Sequence, residues 1–195
     1  MLSVVIATHD SERVLVPTLA ALIAGTLAGV VHEVIVADAG SGDATAAIAD
    51  GTGCRVLASP ATRGVRLKTA AGTARAPWLL FLAPGVVPDA NWADEARRFI
   101  EEIDLAGDDG ARAAAFRTAS AAFRPALIEA LSLLRTAVFR PRDGQALLIA
   151  KTLYDALGGH RDVDAPERDL ARRLGRRLVR LRTGATLSHW AKSDT

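Results

Sequence analysis

Glu33-Val34-Ile35-Val36-Ala37-Asp38-Ala39-Gly40-Ser41-Gly42-Asp43-Ala44-Thr45 decides the fold. Val34, Ile35 and Val36 make a continuous β-branched run, the pattern of a strand covered on both faces. Asp38 falls where that strand ends. Gly40 and Gly42 open backbone conformations closed to other residues, and Ser41 or Asp43 can cap a following helix. In open α/β sheets ligands bind beyond the carboxyl ends of the strands. Asp38 is therefore the foremost candidate ligand contact, with turn and helix capping as an equally weighted alternative.

Working outward, the same alternation recurs. Leu2–Ala7 reads as a first strand, with Ser11 or Asp10 capping a helix through Thr26. The opening stretch runs into a helix over Ser41–Asp50. Arg55–Ala58 follows as a third strand, Thr62–Ala76 as a helix and Trp78–Leu82 as a central strand. Four strand–helix alternations predict βαβ units and a mainly parallel sheet covered by helices on both faces. The second half is expected to place helices at Asn91–Asp104, Phe123–Val138 and Glu167–Arg177. Its strands are expected at Ala113–Thr118, Gln145–Ala150 and Leu178–Leu181.

Composition narrows the class. The chain has 195 residues, half of them hydrophobic, enough for one domain with a sizeable core. The single cysteine, Cys54, excludes an internal disulfide and a cysteine-based zinc site. No histidine has metal-ligand spacing, and no nucleophile elbow, P-loop or complete dinucleotide fingerprint is present. The uncharged run Val14–Val31 contains Pro17, Gly25 and Gly29. Its stripe of Leu15, Leu19, Leu22 and Ile23 fits a buried helix rather than a membrane span. With no secretory signal pattern at Met1–Ile6, a cytoplasmic protein is expected. Arg168, Arg172, Arg173, Arg176, Arg177, Arg180 and Arg182 form a basic run. Interspersed acids and absent aromatics argue against nucleic acid, leaving a solvated face or peripheral contact with anionic lipid on the inner membrane face.

In this order the motifs resemble a family 2 glycosyltransferase with a GT-A fold, closest to the short bacterial radical-SAM and selenodomain-associated subgroup. Leu2-Ser3-Val4-Val5-Ile6-Ala7-Thr8 resembles the family's opening strand, and Glu33–Thr45 its E-V-I-V-V-D-G-G-S-x-D-G-T turn. Arg63-Gly64 matches part of G-R-G-x-Q-x-N, and Trp78–Leu82 resembles the strand leading to the metal site. Gln145, Tyr154–Gly159 and Asp169–Leu174 resemble the acceptor-side half. The resemblance implies one GT-A-like α/β/α domain over 1–195, with a nucleotide-binding half (1–105) and an acceptor-side half (106–195). It implies that Thr8, Asp10 and Asp38 hold the nucleotide of a UDP- or GDP-linked sugar, that Arg63 meets its phosphate, and that Gln145 lies toward the acceptor.

The pattern breaks in three places. Where the family's D-x-D would hold Mg or Mn, this chain has Ala83, Pro84 and Gly85, so no family-type metal site is expected. Aligned on Asp169-Leu170, the family's E-D becomes Pro166 and Glu167. Glu167 is then the candidate catalytic base, with a helix N-terminal role as its alternative. The family's Q-x-N becomes Arg66 and Lys68, which with Arg63 are expected to neutralise a diphosphate in place of the metal. Two functions follow. One is inverting, metal-independent glycosyl transfer to an unknown acceptor, a lipid-linked one suiting the basic run; the other is a catalytically inactive nucleotide-binding or interaction protein on the same fold.

Overall fold

A computed structural model describes residues 1–107, 112–118 and 146–187. The expected helix over Phe123–Val138, Gln145, His189 and Trp190 lie outside the described residues. Eight strands form one sheet in the order β3-β2-β1-β4-β7-β6-β8-β5. They are β1 (Leu2–Thr8), β2 (Val31–Asp38), β3 (Arg55–Ala58), β4 (Trp78–Leu82), β5 (Val86–Pro88), β6 (Ala113–Thr118), β7 (Leu147–Ala150) and β8 (Leu178–Leu187). The helices are α1 (Glu12–Leu27), α2 (Thr45–Gly51), α3 (Arg63–Thr73), α4 (Trp92–Ala106), α5 (Lys151–Ala156) and α6 (Pro166–Leu174).

The β3-β2-β1-β4 block is parallel throughout, with Thr8 opposite Asp38 and Ile6 opposite Leu82. β7 then joins β4 antiparallel and β6 joins β7 antiparallel, whereas β6 and β8 run parallel. This is the GT-A-like α/β arrangement expected from the sequence. Alternating strand residues feed two cores, because successive side chains point to opposite faces. Val4, Ile6, Val36 and Leu80 meet Leu15 and Leu22 of α1 and Trp92, Ala96 and Phe99 of α4 on one face. On the other face Val5, Ile35, Leu79 and Phe81 meet Leu67 and Ala70 of α3, Leu153 and Tyr154 of α5, and Leu170 and Leu174 of α6.

Three expectations change. α1 packs on one face only: Leu15, Leu19 and Leu22 are buried, while Val16, Ile23 and Leu27 stand exposed. β8 runs on to Leu187 because Leu181, Thr183 and Ala185 turn inward in alternation, a period of two carried by weakly apolar residues. β5, three residues long, goes unread in the sequence because only its pairing with β8 defines it.

Candidate active site at the carboxyl edge of the sheet

Two loops meet beyond the carboxyl ends of β1 and β2, and hydrogen bonds lock them together. Asp38 is 1 % exposed. Its Oδ1 accepts the Thr8 hydroxyl at 2.7 Å and the Ser41 hydroxyl at 2.5 Å. Its Oδ2 accepts the backbone N–H groups of Gly40 at 2.9 Å and Ser41 at 2.7 Å. A carboxylate has about four acceptor positions, so all are used inside the protein. Burial pushes the carboxyl up, and the bonds from Ser41, Thr8 and Gly40 together outweigh it, holding it below the usual carboxylate range. Of the two roles open in the sequence, Asp38 displays that of turn organiser, and Thr8 is buried beside it.

The clasp continues outward. Asp10 N–H donates to Ser41 Oγ, and Gly42 N–H returns a bond to Asp10 Oδ1 at 2.8 Å. Asp10 takes a left-handed φ of 44°, a conformation Asp tolerates better than most residues. Asp43 receives the N–H of Glu12 through one oxygen and the N–H of Thr45 through the other, so one carboxylate serves the first residues of both α1 and α2. Glu12 reciprocates by accepting Ala44 N–H. The expected capping is met in part: Ser11 stands at the N-cap of α1 but its side chain makes no capping bond, the Asp10 carboxylate bonds Gly42 instead, and α2 begins at Thr45 rather than Ser41, with Asp43 receiving its first N–H. Of Thr8, Asp10 and Asp38, Asp10 alone keeps an exposed carboxylate, its side chain 53 % accessible.

The three cations of α3 do not gather. A helix turns about 100° per residue, so Lys68 lies about 140° round from Arg63. Lys68 is exposed there, away from the clasp. Arg66 is 8 % exposed; its guanidinium donates to the carbonyls of Ala61 at 3.1 Å, Thr8 at 2.9 Å and also Ala37. It binds the ends of β1 and β2 to the start of α3. Burial, then the charge of Arg63, push this guanidinium below its ordinary range, against the pull of Asp38. The expected Arg66–Lys68 diphosphate clamp is therefore corrected: strand-end carbonyls occupy one side chain and helical geometry turns the other away.

Arg63 remains at the edge. Its Nε donates to Glu167 Oε1 at 2.5 Å, and its Nη1 reaches the Ala7 carbonyl at 3.3 Å. Both side chains are half-buried, 36 % and 22 % exposed. Glu167 stands in the first turn of α6, brought there because Gly64 lets α3 press against the 160–166 loop. A Cβ at Gly64 would fall on the Arg161 carbonyl. Thr62 Oγ1 adds a bond to Asp162 at 2.6 Å.

Behind this pair lies a residue not singled out in the sequence. His160 is 1 % exposed, with Nδ1 2.9 Å from the Tyr154 hydroxyl and its ring edge-on to Phe81 at 4.6 Å. Its Nε2 is buried without a hydrogen-bond partner among the described residues. Burial is the main force holding the imidazole neutral, down to about 4, with Glu167 the strongest opposing charge. Burial likewise pushes the Tyr154 hydroxyl up to about 12. A lone histidine after Gly158-Gly159 carries no spacing signal, so only the fold exposes its position.

At the end of β4, Ala83, Pro84 and Gly85 form the turn into β5. Gly85 N–H is held by Val14 O and Thr18 Oγ1, and the Ala83 carbonyl accepts Val86 N–H. These residues do not fit a divalent cation: none has a side-chain oxygen. No group of three or more His, Cys, Asp or Glu side chains able to hold a metal occurs among the described residues.

Residues 3–155 match the model of Glycosyl transferase family 2, and the chain belongs to that family. Its structure is similar to several solved glycosyltransferases. Staphylococcus aureus TarS 1-349 has 15% sequence identity and a TM-score of 0.73, over 96% of this chain and 60% of that chain. The Pyrobaculum calidifontis mannosyltransferase PcManGT, solved with GDP-Man and Mn2+, has 18% identity and a TM-score of 0.70, over 92% of this chain and 54% of that chain. Mycobacterium tuberculosis glucosyl-3-phosphoglycerate synthase, solved with Mn2+, UDP and glucosyl-3-phosphoglycerate, has 20% identity and a TM-score of 0.66, over 96% and 70%. The chain thus spans little more than half the length of the first two. Among curated proteins nothing matches. No described helix is long and apolar enough to cross a membrane.

Proposed function

We propose that the protein binds a UDP- or GDP-linked sugar at the carboxyl edge of the sheet and transfers the sugar with inversion to an acceptor hydroxyl. The observation that carries this is the meeting of Arg63 from the first half with Glu167 from the second, within a family 2 chain. TarS has been solved with UDP and with UDP-GlcNAc, which supports a nucleotide-sugar donor here. Asp10 and the Ala39–Gly42 turn line the nucleoside end, and Arg63 meets the diphosphate. Glu167 takes the acceptor proton as the hydroxyl oxygen bonds to the anomeric carbon. The anomeric carbon–phosphate oxygen bond breaks and its electron pair leaves with the nucleoside diphosphate.

Metal independence is part of the proposal, supported by the side chains of Ala83, Pro84 and Gly85 and not by any vacancy. A second reading is a catalytically silent nucleotide binder. It is favoured by one observation: with Arg66 buried, Arg63 is the one cation of the expected trio at the pair. Peripheral contact of exposed Arg172, Arg176 and Arg177 with anionic lipid belongs to the same proposal and would suit a lipid-linked acceptor. Arg173 has no part in it, being committed to Asp169, Leu157 O and Gly159 O.

Melting temperatures with a panel of nucleoside diphosphates, with Mn²⁺ or EDTA, test the proposal. UDP or GDP should raise the melting temperature equally with and without EDTA. Nucleotide-sugar hydrolysis lost in Glu167→Gln supports transfer, and binding without hydrolysis of any donor supports the silent reading. No shift with any nucleotide defeats both.

A further inference from the structure

We propose that His160 is a positioning residue for Glu167: its Nε2–H takes up the Glu167 carboxylate when an anion draws Arg63 away. This deepens the proposed function and rests on Glu167 as base and Arg63 as diphosphate ligand.

The proton position follows from counting donors. The Tyr154 hydroxyl accepts the His160 backbone N–H at 3.0 Å and lies 2.9 Å from Nδ1. With one lone pair so used, the hydroxyl proton has one acceptor in reach, the Nδ1 lone pair. The opposite tautomer would leave a buried hydroxyl proton without an acceptor. The imidazole is therefore neutral with its proton on Nε2. A buried N–H without an acceptor is uncommon in native proteins and costs about 1–3 kcal/mol.

Turning the ring over would take Nδ1 away from the Tyr154 hydroxyl, and Phe81 packs edge-on against it at 4.6 Å. Gly159, at φ +68°, lets the loop lie against Tyr154, where a Cβ would come 2.9 Å from Cε1. Arg173 fastens the same loop by bonding the carbonyls of Leu157 and Gly159. Glu167 is the mobile party. Its Oε1 is held by Arg63, while Oε2 makes no hydrogen bond among the described residues, and the side chain is part exposed. A diphosphate, carrying more negative charge than a carboxylate, competes for Arg63 and releases Glu167. The donor-bound protein then has a base held by a neutral donor, and the donor-free protein has its base tied to a cation. Donor binding thus precedes base release.

The test observes the His160 side-chain N–H by ¹⁵N NMR in the full chain, with melting temperature as the fold control. The proton should sit on Nε2. In Arg63→Met, which keeps the aliphatic stem, the Nε2–H signal should move downfield without any nucleotide. The added substitution Glu167→Gln should reverse that movement. UDP or GDP should produce the same movement in the unsubstituted protein. A proton found on Nδ1, or an Nε2–H signal unmoved by Arg63→Met, overturns the inference. Because the Arg63→Met arm needs no ligand, it judges the His160–Glu167 contact even where the nucleotide reading fails.

Discussion

Arg63 Nε lies 2.5 Å from Glu167 Oε1, joining residues 104 positions apart across the two halves of the domain. Sequence motifs assign these side chains separate partners, a phosphate and an acceptor hydroxyl; without ligand they satisfy each other. A double-mutant cycle with Arg63→Met and Glu167→Gln should give a coupling of about 1 kcal/mol, the scale of a part-exposed pair. Urea unfolding at low and high salt checks it, and the coupling should shrink with salt. A coupling of zero at low salt would show the pair adds nothing to stability.

Asp38→Ala should destabilise the protein by about 3 kcal/mol, since it strips acceptors from two hydroxyls and two backbone N–H groups in a buried turn. Unfolding midpoints compared with Asp10→Ala, an exposed member of the same clasp, check this: Asp10→Ala should cost under about 1 kcal/mol.

Arg66 and Lys68 should behave in opposite ways. Arg66→Met leaves the carbonyls of Ala61, Thr8 and Ala37 without their buried donor and should cost about 2–4 kcal/mol. Lys68→Ala should stay within about 0.5 kcal/mol and leave nucleotide affinity unchanged. Loss of affinity in Lys68→Ala would restore the cation cluster that the helix geometry separates.

His160 should make stability depend on pH. Its folded value of about 4 lies below the ordinary 6.5, so between the two the unfolded chain binds a proton the folded chain refuses. Stability should fall as pH drops from about 6.5 to about 4, by roughly 3 kcal/mol from this group alone. His160→Gln should flatten that part of the profile. An unchanged slope in the variant would show that other groups carry it.

Gly64→Ala should cost about 2 kcal/mol or more, because the new methyl meets the Arg161 backbone carbonyl, which has no flexible side chain to yield. It should also part α3 from α6 and weaken the Arg63–Glu167 coupling measured above. A variant as stable as the original would mean that the 160–166 loop gives way.

The parallel half was legible in residue order. Val4–Ile6, Ile35–Val36 and Trp78–Leu82 are apolar enough to be buried on both faces, and the glycines and small polar residues between them mark strand ends. The second half was less so. β8 alternates Leu181, Thr183 and Ala185 inward, a weak signal against the arginines between them, and β5 exists only through its partner. At the site, residue types were informative and roles were not. A carboxylate at a strand end reads alike whether it faces a ligand or, as Asp38 does, four internal donors. An arginine at the start of a helix reads alike whether half-buried at the site edge, as Arg63, or buried beneath it, as Arg66.

The sequence by itself determined the α/β class, the strand–helix alternation of the first half and the poverty of oxygen ligands at Ala83–Gly85. Each is a local property of periodicity or side-chain chemistry. Tertiary structure alone decided which polar groups consume one another. Asp38 is taken up by Thr8, Gly40 and Ser41, Arg66 by three carbonyls, Arg63 by Glu167, and His160 Nε2 is left with no partner among the described residues. Hydrogen bonds and ion pairs depend on ångström distances between residues far apart in the chain, and spacing along the chain carries no record of them.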